Sequence, residues 1–126
     1  MRYTYRLPLP PSANHQYIEI GKGPNKAKAL TKAAIEFRKE VGLILNSRPR
    51  FTPRKDRCYS VLAWFTVPPG KHDVDNRLKA LLDAIFVETG DERVIAIHAR
   101  KRKVQAGEEP RCTVRIIELP PTWEES

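Results

Sequence analysis

Two carboxylates one residue apart, Asp73 and Asp75, followed by Asn76, Lys79 and Asp83, are the side chains of this sequence best suited to chemistry. Oxygen ligands in such density are what a hard divalent cation takes. If the segment is extended, alternate residues leave the backbone on one side and both carboxylates point the same way; if it is helical, they point apart. Val74, Leu78, Leu81, Leu82 and Ile85 recur at a helical spacing, which predicts a helix over 75–87 with Asp75 or Asn76 as its cap. Asn76, Lys79 and Asp83 then share one polar stripe, and Asp75 lies one turn before Lys79. The same pattern also serves plain structure. Asp and Asn are common helix caps, and charges four residues apart form surface ion pairs worth a few tenths of a kcal/mol. Spacing alone leaves metal binding and capping as alternatives, with capping the commoner.

The elements that must position these residues follow from periodicity and breakers. Arg2 to Leu7 alternates as a strand and stops at Pro8, Pro10 and Pro11, and Ser12 to Ala29 reads as a polar, glycine-punctuated loop. Thr31 caps a helix whose apolar positions are Ala34, Phe37, Val41, Ile44 and Leu45, ending near Asn46, with Lys32, Arg38 and Lys39 on its outer side. Arg57 to Val67 is the longest strand, and its nearly continuous apolar run predicts a central strand buried on both faces. After the aspartate helix, Gly90-Asp91-Glu92 leads into a strand over Val94 to Val104, and Gln105-Ala106-Gly107 turns the chain into a last strand, Arg111 to Leu119. Helical crossovers favour parallel pairing of the strands they join, and the short loop favours antiparallel pairing of the last two. The expected fold is α/β of the α+β type, βαβαββ, with a mixed four-stranded sheet and two main helices. It places Asp73 and Asp75 at the carboxyl end of a central strand, a favoured edge for sites in open sheets. Asp91 need not join them, because about twelve helical residues at ~1.5 Å each carry the chain some 18 Å away.

With 126 residues the chain reads as one domain over 1–118 and a proline-rich acidic tail over 119–126. Lys plus Arg number 23 against 15 Asp plus Glu, an excess that points to an anionic partner. Nucleic acid is favoured over membrane, since no apolar run approaches a spanning helix and Met1 leads straight into a strand rather than a signal peptide. The basic surfaces are Ser47 to Arg57, with Arg48, Arg50, Arg54 and Lys55, and the run Arg100-Lys101-Arg102-Lys103, with Lys71 beside the aspartates. Cys58 and Cys112 form no CxxC pair and read as free thiols of a cytoplasmic protein. His15, His72 and His98 stand beside no Ser or Cys in a nucleophile motif, so covalent hydrolase chemistry has little support.

Leu7-Pro8-Leu9-Pro10-Pro11-Ser12-Ala13-Asn14, then Asp73-Val74-Asp75-Asn76 with Lys79 and Asp83, then Gly90-Asp91-Glu92-Arg93-Val94 resembles the RusA-type Holliday junction resolvases over most of the chain. The resemblance implies a homodimeric, cytoplasmic endonuclease of bacterial or phage type that uses Mg2+, or Mn2+ in its place, to make paired incisions across a four-way DNA junction. It carries Asp73, Asp75 and Asp91 over as metal-binding acids and Lys79 as the essential lysine. The interval from Asp83 to Asp91 is shorter than the family pattern and the acidic doublet is Asp91-Glu92, so either of those two acids is the one that approaches the metal. Asn76, Asp83, Ser12 and Asn14 are secondary candidates, the last two equally suited to turn formation. Phe86, Val87 and Trp123 are the apolar candidates for a dimer contact. The alternatives are a basic DNA-binding protein without catalysis, or a magnesium nuclease acting on other branched DNA or on RNA.

Overall fold

The computed structural model describes residues 1–12, 17–21 and 27–121. Its elements are β1 (Arg2–Pro8), β2 (Tyr17–Ile20), β3 (Ala27–Leu30), α1 (Lys32–Leu45), β4 (Cys58–Val67), α2 (Val74–Ile85), a 3-10 turn (Asp91–Arg93), β5 (Val94–Lys103) and β6 (Arg111–Leu119). A mixed four-stranded sheet in the order β1-β6-β4-β5 carries both helices, as the sequence predicts for an α+β fold.

One face of that sheet makes the core. Tyr5 and Leu7 of β1, Tyr59, Val61, Ala63, Phe65 and Val67 of β4, and Cys112, Val114 and Ile116 of β6 are buried there at alternate positions. Phe37, Val41 and Leu45 of α1 and Leu81, Leu82 and Ile85 of α2 pack onto them. Each such side chain contributes about 1.5–3 kcal/mol by leaving water. Thr31 caps α1 as its sequence suggests, its hydroxyl accepting from the Ala34 N–H at 3.3 Å, and Asn46 ends the helix. Phe51 is drawn in from the proline-rich segment after α1 and meets Tyr3, Tyr59 and Phe86 edge-on, with ring centroids 5.0, 5.6 and 6.1 Å away. Phe86 therefore belongs to the core, at 2 % exposure, and offers nothing to a dimer contact, whereas Val87 is 60 % exposed. Trp123 lies outside the described residues.

Three expectations are corrected. β6 does not pair with β5; it lies between β1 and β4 and runs antiparallel to both. An interior slot needs a strand with a continuous buried side, which β6 has, while β5 has no fully buried residue and ends in four consecutive basic side chains suited to an edge. The α1 crossover accordingly leaves β1 and β4 parallel but not adjacent, and β4 and β5 pair in parallel across α2. β4 is fully buried along the face toward the helices, whereas on the other face only its ends, Cys58 and Thr66, are buried and Ser60, Leu62 and Trp64 stay half-buried. The segment expected to be a loop contains the antiparallel hairpin β2–β3.

Candidate functional site

β4 ends at Val67, where its carbonyl accepts from the Val104 N–H at 2.9 Å. Two prolines stop the strand, and Gly70, at φ +124, turns the chain toward α2 in a conformation that side chains rarely adopt. Asp73 follows in extended geometry and caps α2: its Oδ1 accepts from the Asp75 N–H at 3.0 Å. The cap is thus Asp73 rather than Asp75 or Asn76, and the helix begins at Val74, one residue earlier than its periodicity indicates. Asp73 can cap because the preceding turn leaves its φ and ψ extended while its carbonyl already accepts the first helical bond, from Arg77 N at 3.3 Å.

This placement replaces the strand-like alternation of the two carboxylates. Asp75 is already helical, in the first turn, where the positive end of the helix favours an anion. The two acids gather around one helix N-terminus instead of sharing one strand face. Asn76 donates to Asp73 Oδ2 at 3.3 Å, so its amide orients the capping carboxylate. Asp75 and Lys79 are exposed, and Asp83 is half-buried further along the helix.

Arg77 is the residue that the sequence does not single out. Its guanidinium donates to the Pro10 carbonyl at 2.5 Å and lies 3.0 Å from His72 Nδ1, tying the proline-rich segment after β1 to the start of α2. Burial lowers its pKa from the ordinary value. Its spacing in the sequence gives no sign of this role, and only the fold reveals Pro10 above it. Lys101 of β5 donates to the His72 carbonyl from the other side. Ser12, Lys71, His72, Asp73, Asn76 and Arg77 line a cleft of about 240 Å³. The carboxyl edge of β4 thus brings together Ser12, Lys71, Asp73, Asp75, Asn76 and Lys101. Asn14 lies outside the described residues.

Asp91 and Glu92 are not part of this group. They are exposed in the 3-10 turn that precedes β5, and Val94 is in register with Tyr59 at the start of β4, while Asp73 follows the end of β4. The eight residue steps from Tyr59 to Val67 separate the two edges by about 26 Å at ~3.3 Å each. Among the described residues, no three His, Cys, Asp or Glu side chains converge as a metal cluster.

The basic runs also separate. Arg100, Lys101 and Arg102 are in register with Trp64, Phe65 and Thr66 and reach the aspartate edge. Arg48, Arg50, Arg54 and Lys55 are exposed around Phe51, whose ring packs on Tyr59 and Phe86, and so belong to the opposite edge, with Asp91. Two of the cations are already engaged: Arg54 with Asp56 at 2.7 Å, and Arg102 with both oxygens of Glu108 at 2.7 Å. Arg102, assisted by the Gln105 N–H, holds the Glu108 carboxyl down to about 2. Both cysteines are free and buried, and burial pushes the Cys112 thiol up to about 12. No helix of the described residues is long and apolar enough to cross a membrane.

No family model matches the sequence, and no curated protein matches it.

Proposed function

We propose that this chain is a magnesium-dependent endonuclease of the RusA type, acting as a homodimer on four-way DNA junctions. The observation that carries the reading is the setting of Asp73 and Asp75: two exposed carboxylates at the start of α2, past the carboxyl end of a central strand, with Lys71 and Arg77 lining the cleft beside Asp73 and Lys101 bonded to the adjacent His72 carbonyl. Surface caps have no need of such a cationic surround; a phosphodiester approaching two acids does.

The donor set fits magnesium, which prefers oxygen and is commonly held by one or two carboxylates together with waters and substrate phosphate. Asp73 uses one lone pair on each oxygen for its cap and for Asn76, which leaves about two of its four acceptor sites free. Asp73 and Asp75 would hold the ion, which supplies a bound water of lowered pKa and neutralises charge on the departing oxygen. Asn76 keeps the Asp73 carboxylate oriented. Arg77 anchors the start of α2, where both acids stand, to Pro10. Lys79, exposed one turn beyond Asp75, faces the charge that develops on the phosphate, and Lys71 and Lys101 neutralise neighbouring phosphates.

The position of Asp91 has a consequence for assembly. At the far edge of the sheet it can complete a three-carboxylate site only if it comes from a second copy, and a two-fold dimer then makes two such sites for two incisions. A synthetic four-way junction, incubated with the protein in magnesium and in chelator, is the decisive experiment. Paired incisions in magnesium alone support the reading, and binding without incision sinks it in favour of a non-catalytic DNA-binding protein. That second reading draws on the Asp73 cap, which by itself explains one of the two acids. Competition by flaps and by RNA separates a junction enzyme from a nuclease for other substrates.

A further inference from the structure

The face of the sheet turned away from the helices has a composition that the aspartate site does not use. Strand register places side chains on this face in rows that cross all four strands. Arg6, Thr113, Trp64 and Arg100 make one row; Thr4, Arg115, Leu62 and His98 make the next. Arg2 and Arg111 extend the arginines to either side. Among the described residues, the acid engaged with these arginines is Glu108, at one margin, and it is spent on Arg102 and Arg111. Arg2, Arg6 and Arg100 are exposed and have no acid within ion-pair distance among the described residues.

At the middle of this face is an aromatic ring. Trp64 is half-buried on β4, and the Arg115 guanidinium stands over its ring at 5.9 Å from the centroid. A cleft of about 290 Å³ opens between Trp64, Arg100 and Arg102. Three strand spacings separate Arg6 from Arg100, about 14 Å at ~4.8 Å each, with the indole between them.

We propose that this open face binds unpaired DNA, with a base stacked on the Trp64–Arg115 pair and flanking phosphates held by Arg6 and Arg100. A flat aromatic and guanidinium surface stacks bases only when they are splayed out of a helix, so it selects single strands over closed duplex. A row of arginines without acids selects a polyanion. The binding itself does not depend on the aspartate site; only the choice of DNA over RNA rests on the function proposed above.

The test is fluorescence of the Trp123→Phe variant, in which Trp64 is the one remaining indole, titrated in chelator with a thymidine dodecamer. Saturable quenching is expected, with the apparent Kd raised about tenfold when Arg6 and Arg100 are both changed to Ala, since two phosphate contacts are lost. By anisotropy of a fluorescein-labelled dodecamer, Trp64→Phe should keep most of the affinity, and Trp64→Ala should lose about tenfold, the effect of one stacked base. Equal quenching by a duplex of the same phosphate content overturns the proposal. So does an unchanged Kd in the Arg6→Ala/Arg100→Ala protein, whose edge positions leave the core intact. Tighter binding of a uridine dodecamer overturns the assignment to DNA. Junction cleavage without dodecamer quenching removes this inference and leaves the nuclease standing; quenching without cleavage does the reverse.

Discussion

The two edges of the sheet carry the same kinds of residue and differ in how they are built. At the carboxyl edge of β4, Asp73 lines a cleft whose walls come from the proline-rich stretch after β1, the turn before α2 and the first turn of α2, with Asp75 on that same turn and Lys101 of β5 bonded to the His72 carbonyl. At the opposite edge, Asp91 and Glu92 stand exposed on a single turn of 3-10 helix beside the basic segment around Phe51. The difference teaches that acids and bases close in composition acquire different chemistry according to whether separate segments converge on them. The first edge can hold a ligand with one copy of the chain; the second needs something brought to it.

The largest effect should come from breaking the two edges separately. Asp75→Asn and Asp91→Asn are each expected to reduce cleavage at least a hundredfold while leaving junction binding intact, because each removes ligand charge without removing a phosphate-binding base. If Asp91 acts from the second copy, a mixture of the two variants regains up to about a quarter of the activity, through dimers that contain one complete site. A mixture as dead as either parent, measured on a junction that both parents bind, would refute the trans arrangement.

Stability separates the edges next. Phe86→Ala empties the aromatic cluster that supports the Asp91 edge and should cost about 3–5 kcal/mol in urea unfolding. Asp73→Ala removes the α2 cap and should cost about 1 kcal/mol, whereas Asp73→Asn keeps a capping side chain and should cost less than about 0.5 kcal/mol. Asp73→Asn is therefore the variant that isolates charge from capping. Wild-type cleavage by a folded Asp73→Asn protein would reduce this acid to its structural role.

Binding tests the basic surfaces. Neutralising Arg48, Arg50 and Arg54 together should flatten the salt dependence of junction binding by up to about 2–3 units of log slope, each lost phosphate contact removing roughly 0.9. A smaller change than that of Lys71→Ala with Lys101→Ala would locate the DNA at the aspartate edge alone. Arg54, already paired with Asp56, should matter least of the three.

The smallest effect concerns acid. The Glu108 carboxyl is held at about 2 by Arg102, below its ordinary 4.5, so the clamp contributes stability above 4.5 that is lost as pH falls toward 2. A carboxyl NMR titration should find its midpoint near 2; a midpoint at the ordinary value would mean that the turn before β6 leaves Arg102 free for DNA.

Much of this was legible along the chain. Periodicity located both helices and the strands of the main sheet to within about two residues, because a half-buried element writes its period into its own side chains. Thr31 was recognisable as a cap, since capping is a local bond. The cap of α2 was misplaced by two residues for an equally local reason: Asp73, Asp75 and Asn76 are all good caps, and the turn made by Pro68, Pro69 and Gly70 decided among them. The hairpin β2–β3 is not legible in the sequence, because four-residue strands carry too little pattern to stand out from a polar loop.

By itself, the sequence determined which residues carry charge and which elements form, since propensity, capping and hydrophobic period act over a few neighbouring residues. Strand order, the bond from Arg77 to Pro10, the gap between Asp73 and Asp91, and the alignment of Arg6 with Trp64 and Arg100 were decided only in the tertiary structure. The physical reason is that β6 arrives last in the chain yet is the remaining strand with a continuous buried side. It takes the slot between β1 and β4, and that one choice sets which distant side chains share a face.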